Sequence, residues 1–187
     1  MPASIEALDE LCQQLAIECE KLPHPPLATA QCADDIALHR PGVRLKNLFL
    51  RDNYGRRHFL LITSHDALVD LKALSKTQQV SRLGFASDER LEKFLGVKKG
   101  CVSMLALMND PQCHVELWLD RAIWNETQQS TPYHCHPFDN TQTWLVPKKA
   151  LEQLFAHWGH EPLIFAHWGH EPLIIDVPKR CGTTIKA

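Results

Sequence analysis

The feature that most constrains this chain is a pair of apolar, alternating runs on either side of a polar turn. Arg44-Leu45-Lys46-Asn47-Leu48-Phe49-Leu50 leads into Arg51-Asp52-Asn53-Tyr54-Gly55-Arg56-Arg57, and His58-Phe59-Leu60-Leu61-Ile62 follows. Side chains that alternate about a turn rich in Asp, Asn and Gly predict a β-hairpin. Its first strand presents Lys46 and Asn47 near its start. Arg40, Arg44, Lys46, Arg51, Arg56 and Arg57 face the single acid Asp52 over this stretch. Such a local excess suits a phosphate backbone, and equally suits basic residues guarding an edge strand.

That excess is local, because the 187-residue chain carries a net charge of −2 with histidine neutral. There is no global attraction to nucleic acid, so an RNA contact has to be made by one patch. The length predicts one domain, 1–187, with an N-terminal helical segment over 1–40 and room for one substantial core. Hydrophobic and charged fractions of 44% and 22% fit a soluble globular protein. The start, Met1-Pro2-Ala3-Ser4-Ile5-Glu6, lacks the basic and apolar regions of a signal peptide, and no apolar run is of membrane-spanning length. A cytoplasmic location without a membrane partner is the expectation. Seven scattered cysteines without a C-x-x-C pair predict reduced thiols rather than a disulfide framework.

Along the chain, Ile5, Leu8, Leu11, Leu15 and Ile17 form a helical stripe over 4–20 with Ser4 as cap. Leu22 to Pro26 ends it, and a short helix is expected from Thr29 to Ala37 before the Pro41-Gly42 break. His65 to Thr77 reads as a helix with Leu68, Leu71 and Leu74 on one face. Ser87 caps the next, and Leu95-Gly96 closes it. Val102 to Met108 is apolar throughout and reads as a central strand. His114 to Asp120 and Thr141 to Val146 read as further strands, Arg121 to Trp124 as a short helix, and a helix from about Lys148 leads to a strand over 173–177. Helices and strands interleave without a strict βαβ rhythm, which predicts α/β architecture with a mixed sheet flanked by helices. Lys98-Lys99 and Lys148-Lys149 are expected at solvated helix ends, with a secondary chance of touching RNA. Residues 155–164, Phe-Ala-His-Trp-Gly-His-Glu-Pro-Leu-Ile, recur unchanged as 165–174. Two copies are too few for a solenoid. This tandem duplication is expected to place one copy on the helix-to-strand path and the other as an added surface loop or turn.

Two constellations invite chemistry and are set aside. His134-Cys135-His136 and the His-Trp-Gly-His units are rich in metal-ligand types, but no acid or cysteine stands at companion spacing, so no metal or other cofactor is assigned. Cys135 between two histidines is a poor nucleophile, because strand neighbours point to opposite faces.

A series of ordered segments carries more weight. Lys46 to Leu50, Val69 to Lys76, Gly84 to Ser87 with Glu89-Arg90-Leu91, Leu95-Gly96-Val97, Asn109-Asp110, and His136-Pro137-Phe138-Asp139-Asn140-Thr141-Gln142-Thr143 together resemble the YbaK/ProX family of aminoacyl-tRNA editing domains. The closest likeness is to the free-standing prolyl-tRNA editing members, over about residues 11–178. The resemblance implies the family's fold and hydrolysis of the ester between an amino acid and the terminal ribose of tRNA. That ester is already activated, so placing a water and stabilising an oxyanion suffice.

By that resemblance Lys46 and Asn47 are the catalytic candidates. Lys46 corresponds to the lysine most closely tied to activity and is suited to a phosphate or a developing negative charge. The Asn47 amide is suited to orienting the ester or ribose hydroxyls, and the substrate's 2′-hydroxyl is implied to help. The substrate-binding candidates are Gly100, Cys101, Val102 and Ser103, matching a loop whose backbone amides cradle the aminoacyl group, with His136, Asn140 and Thr141 opposite. Asn140 reads equally as a turn residue. Met104 stands where the family has proline, and Ala106 where glycine is common.

The implied substrate is mischarged tRNA(Pro), first of all Ala-tRNA(Pro). A synthetase site built for proline excludes alanine weakly, since a methylene or two is worth only about 1–3 kcal/mol. Cys-tRNA(Pro) or another small residue is the near alternative, and a non-catalytic tRNA- or synthetase-binding module the distant one. The implied partners are the tRNA(Pro) acceptor end and, as a further candidate, prolyl-tRNA synthetase, with no DNA.

Overall fold

The computed structural model describes residues 1–26, 40–160 and 173–175. Helix α1 spans Ile5–Gln14, where the Ser4 side chain accepts from the Ala7 N–H at 3.2 Å. It stops before the expected Glu20 because Ala16 turns to φ 53°. The chain then enters a strand that the sequence reading took only as a break, β1 at Glu20–Pro23. The helix expected over 29–37 lies outside the described residues.

The hairpin forms as expected. Strands β2 (Leu45–Arg51) and β3 (His58–Ser64) pair antiparallel, with Lys46 opposite Thr63. Helix α2 covers only Leu71–Thr77, because the Asp70 carboxylate caps it by accepting from the Lys72 and Ala73 N–H groups. Leu68 therefore lies outside the helix and is exposed rather than on its apolar face. The short strand β4 (Gly84–Phe85) pairs with the end of β2, and α3 (Asp88–Leu95) follows its Ser87 cap.

The stretch read as a central strand is a 3₁₀ helix, Met104–Asn109. Its residues 104–107 are fully buried as expected, but apolarity alone does not distinguish a buried helical turn from a buried strand. The Ser103 hydroxyl decides the matter locally by capping the Leu105 N–H at 3.2 Å. Strand β5 (Val115–Asp120) runs into α4 (Arg121–Trp124), then β6 (Pro132–Cys135), β7 (Gln142–Pro147) and α5 (Lys148–Phe155), which continues as a π-helical turn, Ala156–His160. Strand β6 is a second element the periodicity did not reveal. Lys148 is buried rather than solvated, its Nζ donating to the Trp124 carbonyl at 2.6 Å.

Strand β8 (Leu173–Ile175) pairs parallel with β5. It takes its first two residues from the second copy of the decapeptide, and the first copy begins at the end of α5. Their remaining course lies outside the described residues.

The strands make two sheets, a mixed five-stranded one in the order β4-β2-β3-β5-β8 and an antiparallel three-stranded one in the order β1-β7-β6. The mixed sheet is as expected, and the second sheet is additional. Alternation sorts the hairpin's side chains onto two cores. Phe49, Leu60, Ile62, Leu117 and Leu119 join α1, α3, the 3₁₀ helix and the three-stranded sheet in the main core. Leu50, Phe59, Leu61 and Trp118 pack beneath Leu74 of α2. At about 25 cal/mol per Å² of apolar area, these two burials are the main favourable contribution to folding. None of the described helices is long and apolar enough to cross a membrane.

Candidate active site

The two sheets meet at one point, and that junction organises the site. Val43, just ahead of β2, bridges in parallel to Tyr133 of β6. The Val43 N–H donates to the Pro132 carbonyl at 2.8 Å, and the His134 N–H donates to the Val43 carbonyl at 3.0 Å. Gly42 makes this approach possible. At its φ of 130°, an added Cβ would stand 2.7 Å from the Pro132 oxygen and 3.0 Å from the His134 ring.

The bridge sets the register of everything beyond it. Val43 and Tyr133 point into the main core, so Arg44 and His134 point to the opposite side, where the Arg44 charge bears on the His134 imidazole. Two residues further along the first of these strands, alternation gives Lys46 the side away from the main core, while His136 lies just beyond the end of β6. Lys46 Nζ donates to the Ala67 carbonyl, at the loop leading into α2. Asn47, by the same alternation, opens toward the main core beside Leu45 and Phe49. Its Oδ1 is buried and has no hydrogen-bond partner among the described residues. The catalytic candidates are thus chain neighbours that do not share a face.

The substrate-binding candidates fall into two contiguous groups. Ser103 Oγ donates to the His136 carbonyl at 2.6 Å, stitching the 100–103 loop to the turn after β6. That turn is tight, with the Phe138 N–H donating back to the His136 carbonyl at 3.1 Å and Phe138 itself at φ 69°. Asp139 Oδ1 then accepts from the Thr141 N–H at 2.9 Å and from the Thr141 hydroxyl at 2.7 Å. Cys101 faces the same turn. Burial first, and then the Asp139 charge, push its thiol above the usual range, so it is a protonated lining group. Gly100 has φ 87° with open space where a Cβ would stand. Val102 is half-buried beside it, and Asn140 lies at the tip of the turn.

His136 is held neutral. Burial pushes its imidazole below the ordinary value, the Gln142 carbonyl opposes this, and His24 adds to it. Nδ1–H donates to that carbonyl at 3.3 Å, which leaves the Nε2 lone pair available.

Two residues here, His24 and Asp139, were not singled out by sequence reasoning. His24, where β1 ends, donates from Nδ1 to the Pro25 carbonyl at 2.9 Å, so Nε2 accepts the Thr143 hydroxyl proton at 3.0 Å. Thr143 belongs to the same motif as Asn140 and Thr141, and Asp139 completes the set. A His-Pro-Pro stretch and an Asp-Asn turn are visible in the sequence, but β1 and β6, which bring them together, carry no periodicity to reveal them. Cys135 is fully buried, and burial pushes its thiol up, which removes it as a nucleophile. Among the described residues no three His, Cys, Asp or Glu side chains stand together as a metal site.

Residues 24–154 match the model of the aminoacyl-tRNA editing domain, and the chain belongs to that family. Among its relatives, the prolyl-tRNA editing protein ProX of Acetoanaerobium sticklandii is 34% identical, with 81% of this chain and 88% of that protein aligned. The prolyl-tRNA synthetase associated domain-containing protein 1 of Danio rerio is also 34% identical, over 84% of each. A crystal structure described as "a putative trans-editing enzyme for prolyl tRNA synthetase" superposes with a TM-score of 0.63 over 97% of this chain and 99% of its own, at 15% identity. That likeness speaks for the fold.

Proposed function

We propose that this chain is a free-standing deacylase that hydrolyses mischarged tRNA(Pro), with alanine as the amino acid removed. Family membership and the names of its relatives support the reaction class. The observation that supports the assignment to particular residues is the Val43–Tyr133 bridge, which joins the chain just ahead of Lys46 to the strand that leads into His136.

In this reading a water attacks the ester carbonyl carbon, the oxyanion forms, and the bond to the ribose oxygen breaks as that oxygen regains a proton. Lys46 keeps N–H donors beyond its bond to Ala67 and offers them to the terminal phosphate or the oxyanion. His136 Nε2 accepts a proton of the attacking water or of the substrate, and the ribose 2′-hydroxyl shares in the transfer. Gly100, Cys101, Val102 and Ser103, with Asn140 and Thr141, bound the amino-acid pocket, and Met104 sets its depth from beneath. Asn47 contributes an unfilled acceptor on the opposite face, which a bound water or a substrate donor would satisfy.

The test is deacylation of Ala-, Cys- and Pro-tRNA(Pro) by the wild type and by Lys46→Ala. Hydrolysis of Ala-tRNA(Pro) in preference to the others, lost in the variant, is the expected result. Equal hydrolysis by the variant removes the assigned role of Lys46. No hydrolysis of any substrate by the wild type removes the deacylase.

A further inference from the structure

The face of the mixed sheet that carries Lys46 is apolar beyond the seam and covered by α2, and it is the outer side of α2, the segment after it and the hairpin tip that are basic. Lys72 and Lys76 are exposed and stand four apart, on one side of α2. Arg82 is exposed in the segment that follows, and residues 71–87 contain no acid. That segment reaches the tip of the hairpin, where Ser81 Oγ accepts the Asn53 N–H at 3.0 Å and β4 pairs with Leu50 and Arg51. Arg56 is exposed at the tip, with its guanidinium 5.8 Å from the Tyr54 ring centre.

Three of the nearby acids are engaged, whereas Asp88 and Glu89, just after Phe85, are exposed in the first turn of α3. Asp52 turns inward and accepts the Arg56 and Arg57 N–H groups at 2.7 and 3.1 Å, while Asp70 caps α2. Glu116 is paired with Arg57.

Two large rings lie exposed on the same stretch, Tyr54 at 71% and Phe85 at 64%. Solvated lysines need no aromatic neighbours, whereas a nucleic acid strand takes both, its phosphates on the cations and its bases on the rings. The track spans the length of β2, about 20 Å at roughly 3.3 Å per residue. That reaches beyond a single nucleotide at the seam.

We propose that Lys72, Lys76, Arg82 and Arg56, with Tyr54 and Phe85, form a second contact surface for RNA, which holds the acceptor arm of the tRNA while its aminoacyl end lies at the seam. The occupant follows from the deacylase reading, and the charge and ring pattern says where it sits. A chain of net charge −2 has to concentrate its RNA contact in this way.

The experiment is binding of uncharged, full-length tRNA(Pro) across a salt series by the wild type, the triple variant Lys72→Gln/Lys76→Gln/Arg82→Gln, and Tyr54→Ala. Each protein is also assayed on a short aminoacylated CCA fragment that cannot reach the track. The triple variant is expected to bind tRNA on the order of tenfold more weakly, with a salt slope shallower by about one for each phosphate contact removed. Tyr54→Ala is expected to weaken binding with the slope unchanged. Hydrolysis of the short fragment stays at the wild-type rate in all variants.

Equal tRNA affinity and slope for wild type and triple variant overturn the surface. So does a loss confined to binding of prolyl-tRNA synthetase, which would make the track a protein interface. If the wild type hydrolyses neither substrate yet the binding differences appear, the surface stands and the deacylase falls. Hydrolysis with no difference in binding gives the reverse.

Discussion

The two ends of strand β2 treat their polar groups in opposite ways. At the Arg51 end the fold absorbs them. Asp52 takes two backbone N–H groups of the turn, and Arg90 Nη1 donates to the Gly55 carbonyl at 2.9 Å and to His58 Nε2 at 2.8 Å. At the Lys46 end they are left open: Asn47 Oδ1 is buried without a partner among the described residues, His136 keeps a lone pair, and Phe138 holds a left-handed φ of 69°. A buried acceptor without a partner costs about 1–3 kcal/mol. One end of the strand thus satisfies its polar groups, and the other leaves a buried acceptor unsatisfied.

Substitutions at the two ends should separate activity from stability. Lys46→Ala is expected to lower deacylation of Ala-tRNA(Pro) on the order of 10²-fold, the loss usual for a donor to a developing oxyanion. Its melting temperature should stay near that of the wild type, since Lys46 makes one hydrogen bond at a half-exposed position. A melting temperature that falls along with activity would place Lys46 among the structural groups and erase the contrast. Asp52→Ala is the converse. It strands two backbone donors and should cost about 1–3 kcal/mol, a fall of several degrees at this chain length. The rate per folded molecule is expected to be unchanged, which thermal denaturation and single-turnover kinetics check together.

The same contrast governs how much the sequence disclosed. The hairpin was legible because alternation over seven residues on each side of a turn leaves no second register that buries Phe49, Leu60 and Ile62 together. The caps at Ser4 and Ser87 were legible because their side chains act within three residues of themselves. The 104–109 segment misled, since a run buried on all sides has no polar face to show its period. Strands β1 and β6 were silent because four residues are too few to show alternation. The site inherited these gaps. Lys46 and His136 were named from their motifs, but the Val43–Tyr133 bridge that joins the segments leading to them is a long-range contact no local pattern encodes. Nor did adjacency in the sequence show that Lys46 and Asn47 face apart.

Smaller effects should come from pH. His58, His134 and His136 are all held below the ordinary imidazole value, in each case first by burial, with the Arg90 charge, the Arg44 charge and the neighbouring His24 adding to it respectively. The folded protein therefore refuses protons that the unfolded chain accepts below about pH 6.5. Stability is complete above that pH and falls as the pH drops through it toward the folded values. Urea midpoints measured from neutral to mildly acid pH should decline, and His136→Gln should make the decline shallower. The acid limb of deacylation should lie below the ordinary imidazole value and disappear in the same variant. A limb at the ordinary value would mean that His136 is solvated in the working enzyme.

The smallest effect sharpens the seam itself. Thr143 continues the register beyond Cys135↔Trp144, one step further along β7, and its hydroxyl is the group that holds the His24 ring. Thr143→Val keeps the branched shape a strand favours and removes only the hydroxyl, leaving His24 Nε2 without its donor. One neutral hydrogen bond is worth about 1 kcal/mol, so deacylation should fall roughly fivefold if the His24–Thr143 pair positions His136. Thr143→Ser retains the hydroxyl and should recover most of that loss. A structural role alone would lower the melting temperature of the valine variant and leave the acid limb in place, whereas a positioning role moves that limb. Valine and wild-type enzymes with identical rates and pH profiles would confine the working part of the seam to Lys46 and His136.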